Sequence, residues 1–289
     1  MKKLLITGAS GFLGYNVCRR AKLDWLVSGT LFSHPTTIEG CNVLQLDLTD
    51  FAALKRVFQT MKPDAVIHTA ANADADFCQS HPAESRKMNV DAAINVAGLC
   101  ADAAIPLVFT STDLVFDGLN APYREEDPVC PVSVYGEQKA MAERGVLLRY
   151  RNAVVCRMSL MFGVPGPASK SFIQPMLSAI REGREIPLFV DEFRTPLGVE
   201  SAVSGLFLAL EKAHGTLHLG GAERISRYDF GRLLVDTLGI QNARLTPCKQ
   251  KDVTMSAPRP PDVSLDISKS QAIGFNPSPL REEIRAIAW

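Results

Sequence analysis

The sequence predicts an α/β protein in which a doubly wound parallel sheet carries a smaller C-terminal part, and three observations carry that reading. Short β-rich runs take turns with helical patterns through the first half of the 289 residues, the mark of βαβ units on a parallel sheet. The runs "AVIHTA" and "LVFTS" are apolar without alternation, as strands covered by helices on both faces must be. After Gly163 the texture changes, with Pro and Gly punctuating the chain more often.

The elements follow in order. "KLLIT" is a strand that leads straight into the helical "GFLGYNVCRRAK", and "DWLVSGTL" and "NVLQL" are the next two strands. "TDFAALKRVFQTM" is a helix, "DAVIHTA" a strand, "PAESRKMNVDAAINVAGLCADA" a helix and "PLVFTS" a strand. A helix over about residues 133–150 and the strand "AVVCRM" extend the alternation. Beyond them "GVPGPASKS" reads as loop and "FIQPMLSAIREGR" as helix. "TPLGVESAVSGLFLALEKA" and "GTLHLGG" read as a helix and a strand that return to the first sheet. Ser226 as N-cap and Gly239 as C-cap bound one more helix, "SRYDFGRLLVDTLG".

Composition narrows the function classes. Lys+Arg 31 against Asp+Glu 31 leaves no net charge, so nothing in the bulk electrostatics asks for nucleic acid or an acidic membrane. The apolar stretch of "MKKLLITGAS" is too short for a signal peptide and runs into a glycine turn. No later stretch reaches the roughly 18 apolar residues of a membrane span. Seven cysteines, scattered singly, form neither a disulfide framework nor a metal-ligand spacing, so reduced thiols in a cytoplasmic protein and no metal are expected. Cys130, between prolines, is the one that reads as exposed.

The stretch "ITGASGFLG" places Gly8, Gly11 and Gly14 at the first strand-to-helix junction. A strand turning directly into a helix aims unpaired N–H groups and a positive dipole end at whatever lies above the turn, and a pyrophosphate fits there. Gly8 serves the tight turn, Gly11 the close approach of backbone to phosphate, and Gly14 the packing of helix on strand. The position makes this a dinucleotide loop. We expect residues 1–163, joined by 191–220, to hold NADP or NAD, and 164–190 with 221–289 to hold the substrate. The end of the second strand, "LFSHP", has neither the usual carboxylate nor an arginine. Ser33 and His34 donate to a 2′-phosphate without repelling it, which tilts the expectation slightly toward NADP. Asp47 either accepts from the adenine amino group or caps the next helix, for which Thr49 and Asp50 are better placed.

Tyr135 and Lys139 are four residues apart at the start of a helix, so they share one face. A phenol with its ordinary pKa of ~10 is a poor acid or base near neutrality, and a neighbouring ammonium brings it toward the working range. "FTST" ends a strand at the edge where ligands of open α/β sheets sit.

Taken in order, "TGASGFLG", "HTAANAD", "FTSTDLVFDG", "YGEQK" and "CRMSLMFG" resemble the extended short-chain dehydrogenase/reductases, a Rossmann-fold family, over essentially the whole chain. "STDLVFDG", "APYREEDPVCPVSVYGEQK" and "APRPPDVSLDISK" look most like the dTDP-4-dehydrorhamnose reductase branch, which includes the regulatory β subunit of methionine adenosyltransferase. The resemblance implies Thr112, Tyr135 and Lys139 as catalytic residues. It implies cofactor contacts at Gly8, Gly11, Gly14, Asp47, Ala70 and Ala71, with Ser10, Phe12, Leu13 and Leu48 beside them, and a substrate end at Thr112, Asp113 and Arg194. The implied activity is NAD(P)H-dependent reduction of a nucleotide-linked 4-keto-6-deoxysugar. A nucleotide-sugar epimerase or dehydratase, or a non-catalytic NAD(P)-binding subunit, are the alternatives, and a homodimer is the expected assembly. The chain departs from the branch at Leu160, where a tryptophan is usual, at Gln79, where an acid is usual although Asp76 is kept, and in "FRTPL", which brings in Arg194. His68 and Arg157 are expected to be structural.

Overall fold

The computed structural model describes residues 1–287. β1 (Lys3–Thr7) runs into α1 (Phe12–Ala21), and β2 (Leu26–Leu31), β3 (Asn42–Gln45), α2 (Phe51–Met61) and β4 (Ala65–His68) follow. The segment read as one helix from Pro82 is α4 (Pro82–Arg86), a π-helical turn (Lys87–Asp91) and α5 (Ala92–Ala103), preceded by the short α3 (Ala75–Ser80). Then come β5 (Leu107–Thr112), α6 (Val134–Arg149), β6 (Val154–Met158), β7 (Met161–Phe162), α7 (Ile173–Arg181) and β8 (Glu185–Phe189). β9 (Phe193–Arg194), β10 (Leu197–Gly198), α8 (Val199–Lys212), β11 (Gly215–Leu219), β12 (Ile225–Ser226), α9 (Arg227–Thr237) and β13 (Arg244–Cys248) lead to two short helices, α10 (Ser268–Ala272) and α11 (Leu280–Arg285). Among the described residues no helix is long and apolar enough to cross a membrane.

Seven strands form one sheet in the order β11-β6-β5-β4-β1-β2-β3, and every pairing in it is parallel. Both faces are covered. Leu4 and Ile6 of β1 face a core shared with Val17 of α1 and Val203 and Leu206 of α8. Leu5, one residue out of phase, faces Leu54 of α2, Val96 of α5 and Val146 of α6. Each such fully buried side chain is worth roughly 1.5–3 kcal/mol against exposure, which is why strands without polar alternation are stable only here. A separate core joins Phe162, Ile173, Met176, Phe230, Leu234 and Ile284, beside the parallel pair β8–β13.

The order reverses at β1, whose neighbours are β2 on one side and β4 on the other. At such a switch point the connections leave in opposite directions and a crevice opens beyond the carboxyl ends of the strands. The loop after β1 and the end of β5 both lie at that edge.

Candidate functional site

The loop after β1 is built for close approach. Gly8 has φ +74°, and a Cβ there would stand 2.8 Å from the backbone N and Cα of Ala70. A Cβ on Gly14 would collide with the carbonyl of Gly8, so α1 can lie on β1 only with glycine at that point. Gly11 N–H donates to the Gly8 carbonyl at 2.9 Å, and no side chain caps α1 and no acidic residue occupies its first turn. Its remaining N–H groups and dipole thus face a cleft of about 740 Å³. Gly8, Ser10, Gly11, Phe12, Ser33, His34, Asp47, Leu48, Ala70 and Ala71 all line it. Leu13 and Gly14 lie beneath, buried. A glycine turn that leaves the N-terminus of α1 uncapped under a cleft of nucleotide size fits a dinucleotide. One carboxylate oxygen of Asp47 accepts from Thr49 N–H (2.8 Å) and Oγ1 (2.7 Å), and Asp50, not Asp47, caps α2 through Ala53 N–H at 3.0 Å.

The second half of the site hangs on β5 and α6. Thr112 ends β5, its hydroxyl donating to Asp113 Oδ1 and accepting from Leu114 N–H, both at 3.2 Å. Ser133 caps α6 by accepting Gly136 N–H at 3.2 Å, and Gln79 accepts Val134 N–H at 3.2 Å. Tyr135 and Lys139 sit one turn apart on α6, 8% and 2% exposed. Lys139 Nζ donates to the Thr110 carbonyl at 2.6 Å and lies 4.2 Å from the Phe109 ring centre. Burial brings its pKa down to about 7, with Glu143 opposing.

Tyr135 differs from the sequence expectation. Burial, then the charge of Asp113, raise its pKa, and the neighbouring Thr112 opposes them only in part. Lys139 does not hold the phenol down: burial lowers its own charge, and its Nζ is directed at the Thr110 carbonyl, to which it donates. At neutral pH the phenol is protonated, which is the form that donates. None of the three residues is among those lining the 740 Å³ cleft. A C-terminal loop is tied to α3 by Ala257 N–H donating to Asp76 at 3.0 Å, with Ala257 fully buried.

Asp113 and Arg194 are brought together, but as a pair. Arg194 Nη1 meets Asp113 Oδ2 at 2.9 Å and Nη2 meets Glu192 at 3.4 Å, all three side chains being buried. Ser159 Oγ also donates to Asp113, at 3.3 Å. The guanidinium is therefore largely neutralised where it stands, instead of being a free cation. His68 bonds Thr7 Oγ1 at 2.6 Å, and burial, then Lys139, bring its pKa down to about 3. Arg157 forks onto Glu143 at 2.9–3.2 Å, deep in the fold. Among the described residues no group could hold a metal ion.

Sequence reasoning missed a buried amide network under α6. Gln138 accepts from Asn89 Nδ2 (2.9 Å) and donates to Ser85 Oγ and the Pro82 carbonyl (2.9 Å each), while Asn89 bonds the backbone of Asn72 in both directions. The partners are about fifty residues away in the chain, so no local pattern announces them.

A family description, the RmlD substrate binding domain, matches residues 1–289 of this chain. The chain belongs to that family. Within the extended short-chain dehydrogenase/reductases, its relatives carry more than one name. Methionine adenosyltransferase 2 subunit beta of Xenopus laevis is 30% identical over 100% of this chain and 87% of its own. The probable low-salt glycan biosynthesis reductase Agl14 of Haloferax volcanii is also 30% identical, over 98% of this chain and 96% of its own. The crystal structure of a dTDP-4-dehydrorhamnose reductase from Clostridium acetobutylicum superposes with a TM-score of 0.85 at 26% identity, covering 98% of this chain and 97% of that one.

Proposed function

We propose that this family member is an NAD(P)H-dependent reductase of the 4-keto group of a nucleotide-linked 6-deoxysugar, acting in the cytoplasm as a homodimer. The observation that supports it best is that Thr112, at the carboxyl end of β5, neighbours the buried Tyr135, with Lys139 a turn behind Tyr135 on α6. The backbone of Gly8, Ser10, Gly11 and Phe12 would hold the diphosphate. Asp47 and Leu48 would hold the adenine, and Ser33 and His34 would meet a 2′-phosphate, giving a slight preference for NADP. Ala70 and Ala71 would lie along the dinucleotide, and Leu13 and Gly14 beneath its diphosphate.

The bound nicotinamide supplies the hydride. Tyr135, already protonated, gives its proton to the carbonyl oxygen, so no free alkoxide has to form. Thr112 holds that oxygen by a hydrogen bond and then steadies the phenolate. Lys139 fixes the nicotinamide ribose. Asp113 and Arg194 border the substrate as an ion pair, so they offer dipoles and shape more than net charge. Tyr135→Phe deletes the proton source and keeps the ring's packing. Reduced-nicotinamide absorbance followed with a panel of nucleotide-linked 4-keto sugars should show turnover falling by ~10²–10⁴ in that variant while coenzyme binding survives. Equal rates in the two proteins would remove Tyr135 from the mechanism.

The full-length likeness to methionine adenosyltransferase 2 subunit beta favours a second reading, a non-catalytic coenzyme-binding subunit. Silence across the panel in a protein that binds coenzyme, with a synthetase-like protein bound in stoichiometric amount, would select it.

A further inference from the structure

The cleft has a second wall that the glycine loop does not explain. Ala168, Ser169 and Lys170, from the segment that follows β7, line it together with Gly8, Gly11 and Phe12. That segment is fastened to the helix carrying the cradle. Asn16 Nδ2, on α1, donates to the Val164 carbonyl at 3.1 Å, and the ring of Tyr15 packs so closely on Gly166 that a Cβ there would strike it. Ser169 Oγ accepts Gly166 N–H at 3.1 Å and closes the loop on itself. On the far side Gln174 donates to the Gly163 carbonyl at 3.0 Å. Residues 163–170 contain a single charged side chain, Lys170.

Charge makes that lysine matter. The cleft is lined by the carboxylates of Asp47, Asp74 and Glu84 against the ammonium groups of Lys87 and Lys170. Lys87 belongs to the same stretch of chain as Asp74 and Glu84, whereas Lys170 lines the cleft from the segment that is fastened to α1. It is exposed, and it also borders a neighbouring groove of about 570 Å³ with Gln174 and Ser178. An ammonium standing between two openings goes to whichever holds an anion.

We propose that Lys170 is a phosphate clamp, a side chain supplied from outside the βαβ unit that binds the diphosphate of the dinucleotide from the side opposite the glycine cradle. The proposal rests on the coenzyme reading above. It makes the loop at 163–170 a part of the coenzyme site, held in register with the cradle by Asn16 and Tyr15 on α1 itself.

The test is the binding of NADPH and NADH, read from nicotinamide fluorescence at low and high ionic strength, for the wild type, Lys170→Met and Lys170→Arg. Lys55→Met is the control, an exposed lysine on α2 that does not line the cleft. Lys170→Met should weaken both coenzymes roughly tenfold, the size of one partly exposed charge-assisted contact. It should also flatten the dependence on salt. Lys170→Arg should keep most of the affinity and Lys55→Met all of it. Bound coenzyme should slow tryptic cleavage after Lys170 in the wild type. If the wild type binds neither coenzyme, the coenzyme reading fails and the clamp with it. If the wild type binds and Lys170→Met binds equally well, or loses NADPH alone, the diphosphate clamp is wrong while the coenzyme reading stands.

Discussion

Lys139 shows how far burial sets the chemistry of one residue. Its pKa is brought down to about 7 in the folded protein, against ~10.4 in an unfolded chain. Between those values the unfolded state binds the extra proton, so stability rises with pH, by up to about 1.4 kcal/mol per unit. Denaturant unfolding from pH 7 to pH 8 should show that rise, before the thiols of Cys100 and Cys156, which burial pushes up, begin to oppose it above the ordinary ~8.5 of an unfolded cysteine, and Lys139→Met should remove it. His68 and His218, both brought down to about 3 by burial, act with the same sign at lower pH. Their contribution is intact above the ordinary pKa of 6.5 and is lost as the pH falls through that value toward 3. The same slope between pH 7 and 8 in the wild type and in Lys139→Met would show that Lys139 keeps its charge in the fold. The residues that sequence reading singled out at this scale, Gly8, Gly14, Tyr135 and Lys139, are those whose geometry is local, a turn or one helical repeat. The pairing of Arg194 with Asp113 joins positions 81 apart, and nothing near either residue foretells it.

At the scale of elements, α6 is placed by what lies under it. The π-helical turn Lys87–Asp91 interrupts what the periodicity reads as one continuous helix, and the buried Asn89 within it donates to Gln138. The alternation of strands and helices was legible because burial on both faces writes itself as uninterrupted apolar runs. The break at the π-turn was not, because residues on either side of it have ordinary helical composition. Gln138→Leu removes the amide that Asn89, Ser85 and the Pro82 carbonyl share and leaves buried polar groups unpaired. It should lower stability by about 2–3 kcal/mol, seen as an earlier denaturant midpoint. Unchanged stability would mean that water replaces the amide at no cost.

For the whole molecule the decisive feature is the outer strand. β11 pairs with β6 along its full length, from Gly215 with Val154 to Leu219 with Met158, and α8 lays Val203 and Leu206 over the same face. A fragment of residues 1–163 has the glycine cradle, Thr112, Tyr135 and Lys139, yet it leaves β6 as a bare edge with an uncovered apolar face. Such edges template pairing between chains. The fragment should collect in the insoluble fraction, or scatter light as large assemblies where the full chain does not. A folded, monomeric fragment would show that β11 and α8 are dispensable.

The same strand sets a schedule for the chain as it is made. Every residue that would touch coenzyme or carbonyl on the first six strands leaves the ribosome before the strand that completes their sheet. Until Leu219 has emerged, the nascent protein shows an unpaired β6 and the apolar floor meant for α8, which is the interval in which a chaperone has something to hold. A codon-level slowing just before α8 would lengthen that interval, and one placed after β11 would not.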